Sequence, residues 1–232
     1  LPILISTLLA SGTHVLHNVP HLKDIDSTLA LLENLGCSYK WETSSLVIEV
    51  KRPSSLEANY DVVRKMRASI LCLGPLLSRY GEAIVSLPGG CAIGSRPIDL
   101  HLDGMKALGA HIDVKEGYVI AKANGQTHSK KNVLLGTTYL FETSTVGGTE
   151  NMMMAACLAE GKTILENAAK EPEIVDLAEY LNKMGAKITG QGSSIITIEG
   201  VDELKPAEHT VIADRIEAGT LLLAGAITGG EV

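Results

Sequence analysis

Aromatic residues are scarce in this chain of 232 residues, with one Phe, one Trp and six Tyr making 3% of the total while hydrophobic residues make 45%. The core must then be assembled from Leu, Ile, Val, Ala and Met, which excludes large ring clusters and favours closely packed helices and sheets. No C-x-x-C pair occurs among Cys37, Cys72, Cys91 and Cys157. A chain of this size needs no disulfide staples, so the four read as reduced thiols of a cytosolic protein. Long apolar runs are missing too: Asn151-Met-Met-Met-Ala-Ala-Cys-Leu-Ala159 falls far short of the ~20 residues a bilayer requires, and a cytoplasmic location is expected. Positive charge is in deficit, 20 Lys and Arg against 27 Asp and Glu, a net charge of -7. That balance argues against nucleic acid and anionic membrane surfaces as partners, while a local Arg pocket can still take a small anionic substrate. The chain opens without Met inside the helix-like stretch Leu1–Ala10 and stops at Gly230-Glu-Val232 in mid-pattern, so a fragment is expected.

What is present is a repeat. Leu31-Leu-Glu-Asn-Leu-Gly36, Gly104-Met-Lys-Ala-Leu-Gly109 and Tyr180-Leu-Asn-Lys-Met-Gly185 each place a glycine where a helix C-cap needs the left-handed conformation. Each is followed by an alternating strand, Ser45–Val50, Tyr118–Ala123 and Ser194–Glu199. A second series interleaves with the first, an apolar helix ending near Gly12, Gly81, Gly161 or Gly229. Its helices, including Ile70–Leu77 and Gly219–Ile227, are apolar on nearly all sides and are expected to be buried. Helices inside and half-exposed sheets outside, recurring about every seventy to eighty residues, describe a pseudo-symmetric α/β unit.

One stretch has the character of a catalytic loop: Ser86-Leu-Pro-Gly-Gly-Cys-Ala-Ile-Gly-Ser-Arg-Pro-Ile-Asp-Leu-His101. Gly89, Gly90 and Gly94 permit close backbone approach to a ligand, and Arg96 supplies a planar cation for phosphate or carboxylate. A thiol near such a cation loses its proton more easily, which suits Cys91 to nucleophilic or acid–base work.

These residues resemble the enolpyruvyl transferases. The resemblance runs along essentially the whole chain, and its specific pieces are Lys65–Ile70, Pro88–His101, Thr145–Asn151, Glu166–Asp176 and Ala213–Thr220. It implies a pseudo-threefold, inside-out α/β barrel domain built of repeated βαβαββ-like units with buried helices. One domain of three repeats is expected over residues 1–212, and the start of a truncated second domain over 213–232. The Pro-Gly-Gly-Cys pattern selects the amino-sugar branch over the sister branch that uses shikimate 3-phosphate. The implied reaction moves enolpyruvyl from phosphoenolpyruvate to the 3-hydroxyl of UDP-N-acetylglucosamine, releases phosphate, and needs no metal or organic cofactor. Two alternatives remain: the sister enzyme that uses shikimate 3-phosphate, and a silent paralogue that only binds the nucleotide sugar or a protein partner.

The same resemblance implies the site. Cys91 matches the proton donor to the phosphoenolpyruvate methylene and the thiol alkylated by fosfomycin. Arg67, Arg96, Pro97, Ile98, Asp99 and Leu100 match substrate contacts, and Thr143, Ser144, Thr145 and Val146 match the uridine and diphosphate segment. Thr145-Val-Gly-Gly-Thr149 also opens a helix whose free N–H groups attract phosphate, whereas Thr143 stands where the family often has Lys. Asp99 has a structural rival role as a helix cap. Glu171, Glu173, Asp214, Arg215 and Glu217 are expected to pair charges near a hinge. A Lys-Asn pair upstream of Leu1 and an Asp of the second domain are expected outside the chain, leaving the fragment inactive alone. His14, His17 and His21 are not expected to bind zinc, because strand-then-loop geometry around Pro20 scatters the imidazoles.

Overall fold

The structure, a computed structural model, describes residues 1–53, 55–58, 67–87, 98–127 and 131–232, with Arg67 and Lys131 described to their backbone only. Three four-stranded sheets surround a layer of helices. The first consists of β14 (Glu208–Thr210), β1 (Gly12–His17), β3 (Ser45–Val50) and β2 (Ser38–Glu42), in that order. The second is β4 (Glu57–Ala58), β5 (Glu82–Ser86), β7 (Tyr118–Ala123) and β6 (Ala110–Lys115); the third is β10 (Thr138–Leu140), β11 (Lys162–Glu166), β13 (Ile195–Glu199) and β12 (Lys187–Thr189). The plan is the same each time: a short edge strand parallel to the next, then two antiparallel neighbours. A small pair, β8 (Gly125–Gln126) with β9 (Lys131–Val133), stands apart.

Within each unit one helix connects the parallel strands and another the antiparallel ones. The connectors of the first kind are Arg67–Cys72 (3-10) running into α3 (Leu73–Tyr80), and α5 (Val146–Ala156). In the first unit that place is taken by α1 (Pro2–Ser6) and the 3-10 turn Thr7–Leu9. The second kind are α2 (Lys23–Asn34), α4 (Asp99–Ala107) and α6 (Pro172–Lys183). Every residue of α5 from Gly148 to Ala156 is buried, including Met152, Met153 and Met154, as a helix apolar all round demands. The strands alternate instead, buried at positions such as His14 and Leu16, Val85, Leu165 and Ile198, so each sheet keeps a wet face. Gly36, Gly109 and Gly185, with φ of +86°, +90° and +106°, make the left-handed helix ends the spacing predicts.

The first unit is completed from the far end of the sequence. β14 lies parallel to β1, pairing Val15 with Glu208 and His17 with Thr210, and thus fills the edge that β4 and β10 fill elsewhere. Buried polar contacts hold it there. Asp176 of α6 accepts from His209 Nε2 at 2.8 Å and from the Ile212 N–H at 3.4 Å, while the Lys183 ammonium donates to His209 Nδ1 at 3.0 Å. An ammonium has only hydrogens to offer and a carboxylate only lone pairs, so the proton on this imidazole sits on Nε2. Next to it, the Tyr180 hydroxyl donates to His14 Nδ1 at 2.6 Å and His14 Nε2 donates to the Ala10 carbonyl at 3.2 Å.

His14 is buried, and burial pulls its pKa down to about 4. An unfolded imidazole titrates near 6.5, so the unfolded chain binds the extra proton first and stability falls as pH drops from about 6.5 towards 4, by about 3 kcal/mol. In urea unfolding between pH 7 and 4.5, His14→Leu is expected to be less stable at pH 7 yet to lose less on acidification. An unchanged pH slope in the variant would place the titration elsewhere.

Two sequence expectations need correction. The helix α7 (Arg215–Thr228) is not buried: Leu221, Leu222, Leu223 and Ile227 are exposed, and Gly225 alone is buried. An all-round apolar pattern buries a helix only where other elements enclose it, and within the described residues nothing does. Asp99 is the first residue of α4, behind an N-cap at Ile98 that makes no side-chain cap. Its favourable term is the charge in the first turn rather than a capping bond.

Candidate substrate site

The helix starts converge. Leu1 and Pro2 of α1, Ala68 and Leu71 of the 3-10 helix, and Val146 and Glu150 of α5 line one cavity of 720 Å³, with Glu173, Asp176 and the segment around Asp214 and Arg215 along another side. The three connecting helices thus point the same end at a common space, because each leads into the equivalent strand of its sheet, β1, β5 or β11. Thr145 caps α5, its hydroxyl accepting from the Gly148 N–H at 3.3 Å. The first turn of a helix offers backbone N–H groups that an anion can accept, and here the cap takes up that of Gly148.

The residues singled out from sequence fall into three groups. Thr143 and Ser144 are exposed on the approach to α5, and Thr145 and Val146 are half-buried at its start. Ile98, Asp99 and Leu100 open α4, Asp99 exposed and its neighbours half-buried. Arg67 begins the 3-10 helix. Cys91, Arg96 and Pro97 lie outside the described residues. Cys37, Cys72 and Cys157 are buried, and burial pushes their thiols up to about 11, 12 and 12, which makes them inert core residues.

Of the five charges expected to pair near a hinge, Glu173 and Arg215 form an ion pair and Asp214 acts as a helix cap. Arg215 forms two bonds to Glu173, at 2.8 and 3.0 Å, and Asp214 caps α7 by accepting from the Ile216 and Glu217 N–H groups at 2.8 and 3.4 Å. Both partners of the ion pair are partly exposed, so screening keeps its contribution small. His14, His17 and His21 go to three places: His14 into the core against Tyr180, His17 to Glu208 at 2.7 Å, His21 onto the Trp41 ring. No group of three His, Cys, Asp or Glu among the described residues is arranged to hold a metal ion. None of the described helices is long and apolar enough to cross a membrane.

Glu150, Asn151 and His101 escaped the sequence reading. All three are buried, and burial, helped by Glu173 and Glu171, pushes the Glu150 carboxyl up to about 8. The signal was a polar pair, Glu150-Asn151, set immediately before Met152-Met-Met154 on an otherwise apolar helix.

Solved structures with this architecture are enolpyruvyl transferases. The enolpyruvyl transferase NikO from Streptomyces tendae superposes with a TM-score of 0.81 at 20% identity, over 97% of this chain and 52% of that one. EPSP synthase from Acinetobacter baumannii gives 0.70 at 19%, over 97% and 50%. A family model described as EPSP synthase (3-phosphoshikimate 1-carboxyvinyltransferase) matches residues 1–232, and the chain belongs to that family. Among curated relatives, a UDP-N-acetylglucosamine 1-carboxyvinyltransferase of Bdellovibrio bacteriovorus is 67% identical over 232 residues, all of this chain and 54% of that protein. One of the same name from Myxococcus xanthus is 55% identical over 235 residues, again 54% of its length. The chain spans about half the length of the curated relatives it matches.

Proposed function

We propose that residues 1–212 form one domain, and 213–232 the opening of a second, of a cytoplasmic enzyme that makes enolpyruvyl-UDP-N-acetylglucosamine for peptidoglycan synthesis. The observation that carries this reading is 67% identity along the whole chain to a protein bearing that activity in its name, together with the Pro88-Gly-Gly-Cys91 loop. In the reaction the 3-hydroxyl of the sugar gives its proton to a base of the longer polypeptide and its oxygen bonds to C2 of phosphoenolpyruvate as C3 gains a proton, giving a tetrahedral phospho-ketal. Loss of a C3 proton and of phosphate then restores the double bond. Cys91 is the proton donor to C3. Arg96 and the Thr145-capped start of α5 hold anionic oxygens, and Arg67, Thr143, Ser144, Val146 and Pro97–Leu100 line the nucleotide sugar. Phosphoenolpyruvate and UDP-N-acetylglucosamine are the small-molecule partners, and the rest of the longer polypeptide completes the transition-state contacts.

The test is phosphate release by a polypeptide carrying this chain at the length of its curated relatives, with phosphoenolpyruvate plus either acceptor. Release is expected with UDP-N-acetylglucosamine alone. Release with shikimate 3-phosphate instead would move the protein to the sister branch, and silence with both would leave a binding protein.

A further inference from the structure

The three described segments assigned to the nucleotide sugar meet one side chain. The Asn151 Oδ1 accepts the Gly74 N–H at 2.9 Å, at the junction of the 3-10 helix with α3. Its Nδ2 donates to the Ile70 carbonyl at 3.1 Å, in the helix that Arg67 begins, and to His101 Nδ1 at 3.1 Å, two residues into α4 from Asp99. Asn151 itself sits on α5, five residues past Val146. The amide orientation is forced, because the Gly74 N–H requires an acceptor and the Ile70 carbonyl a donor. Both amide hydrogens are therefore spent on two different helices, and His101 Nδ1 is held as an acceptor, which puts the imidazole proton on Nε2.

Packing closes the same junction. A Cβ on Gly74 would lie 2.5 Å from Asn151 Oδ1 and 2.6 Å from its carbonyl oxygen, so the helix junction rests directly against α5. A Cβ on Gly147 would lie 3.2 Å from His101 Cε1 and 3.4 Å from its Nε2. The imidazole edge that carries the proton thus abuts the first turn of α5. A buried amide satisfied on three sides by three elements has one arrangement open to it, and any loss leaves buried polar groups unmatched.

We propose that Asn151 is a positioning residue for the acceptor: it fixes the starts of the 3-10 helix, α4 and α5 relative to one another, and orients His101 against the α5 turn. The proposal rests on the functional reading above. Asn151→Asp keeps shape but turns a second oxygen towards the Ile70 carbonyl and His101 Nδ1. His101→Leu removes the α4 arm alone, and His101→Gln restores an acceptor for the Asn151 amide.

In the full-length polypeptide, Asn151→Asp and His101→Leu are each expected to raise the KM for UDP-N-acetylglucosamine about tenfold while the KM for phosphoenolpyruvate stays within about twofold. His101→Gln is expected to remain near the parent. Amide hydrogen exchange gives an arm independent of turnover: exchange over 145–149 and 98–102 should quicken in Asn151→Asp and His101→Leu and not in His101→Gln. Unchanged exchange, or an equal loss across both KM values and kcat, overturns the proposal. If exchange responds as stated but the parent releases no phosphate with either acceptor, the functional reading fails and the positioning role stands as a property of the fold.

Discussion

Phosphate release by the full-length polypeptide with phosphoenolpyruvate and UDP-N-acetylglucosamine is expected to fall at least about a hundredfold when Cys91 is replaced by serine, the scale of a lost general acid. A serine hydroxyl keeps the size and the hydrogen bond but gives up its proton far less readily than a thiol. The structure supplies an independent check on the same residue. Cys37, Cys72 and Cys157 are buried, with thiols raised to about 11, 12 and 12, so at pH 7.5 fewer than about one in a thousand of each is thiolate. Among Cys37, Cys72, Cys91 and Cys157, mass spectrometry after brief iodoacetamide treatment is therefore expected to find Cys91 alone alkylated in the folded protein, and none of the remaining three alkylated in Cys91→Ser. Full activity in the variant would remove Cys91 from the chemistry, and alkylation persisting in it would show that one of the core thiols is reachable.

Gly200→Ala is expected to cost at least about 3 kcal/mol, the range of severe overpacking, in a protein whose whole stability is of order 5–15 kcal/mol. An added Cβ would sit 1.6 Å from the Ala159 carbonyl oxygen and 2.8 Å from its carbon. Backbone cannot swing aside as a side chain can, and this stretch is held from both sides. Gly200 donates to the Gly161 carbonyl at 2.9 Å, Val201 to Cys157 at 2.9 Å, and Glu160 to Leu134 at 2.8 Å. Gly185→Ala is the control, since its Cβ meets nothing within 4 Å and only the φ of +106° resists it, at about 1–2 kcal/mol. Urea midpoints that ranked the two variants equally would show that the crowding at Gly200 relaxes freely.

Glycine made much of this fold readable. Gly36, Gly109 and Gly185 mark helix ends by conformation alone, a local requirement that a local pattern can carry, and the strands after them follow from alternation. The buried α5 was legible in its apolar run, and its start in Thr145-Val-Gly-Gly-Thr149. The rest depends on distant partners. Nothing in Glu208-His-Thr210 announces a strand, because its pairing is with β1, 191 residues away between Glu208 and His17. Asn151 reads as one polar residue in a Met-rich helix until Ile70, Gly74 and His101 are brought around it. The pattern of α7 shows the converse, since hydrophobicity records what a helix needs and not whether the surrounding chain provides it. At the candidate site, the glycines at the start of α5 were visible, while the Thr145 cap, Glu150 and His101 acquire meaning only from the folded structure.

The return of β14 to the edge of β1 also sets an order of events at the ribosome. The second and third sheets are each assembled from contiguous sequence and can form as they emerge, whereas β1 leaves the exit tunnel with its parallel edge bare and waits for Glu208–Thr210, the last of the described strands. Throughout that wait an unpaired strand edge is available to other chains, the condition under which nascent proteins misassociate and chaperones bind. The barrel is sealed by one of the shortest strands it has, and by one of the last to be made.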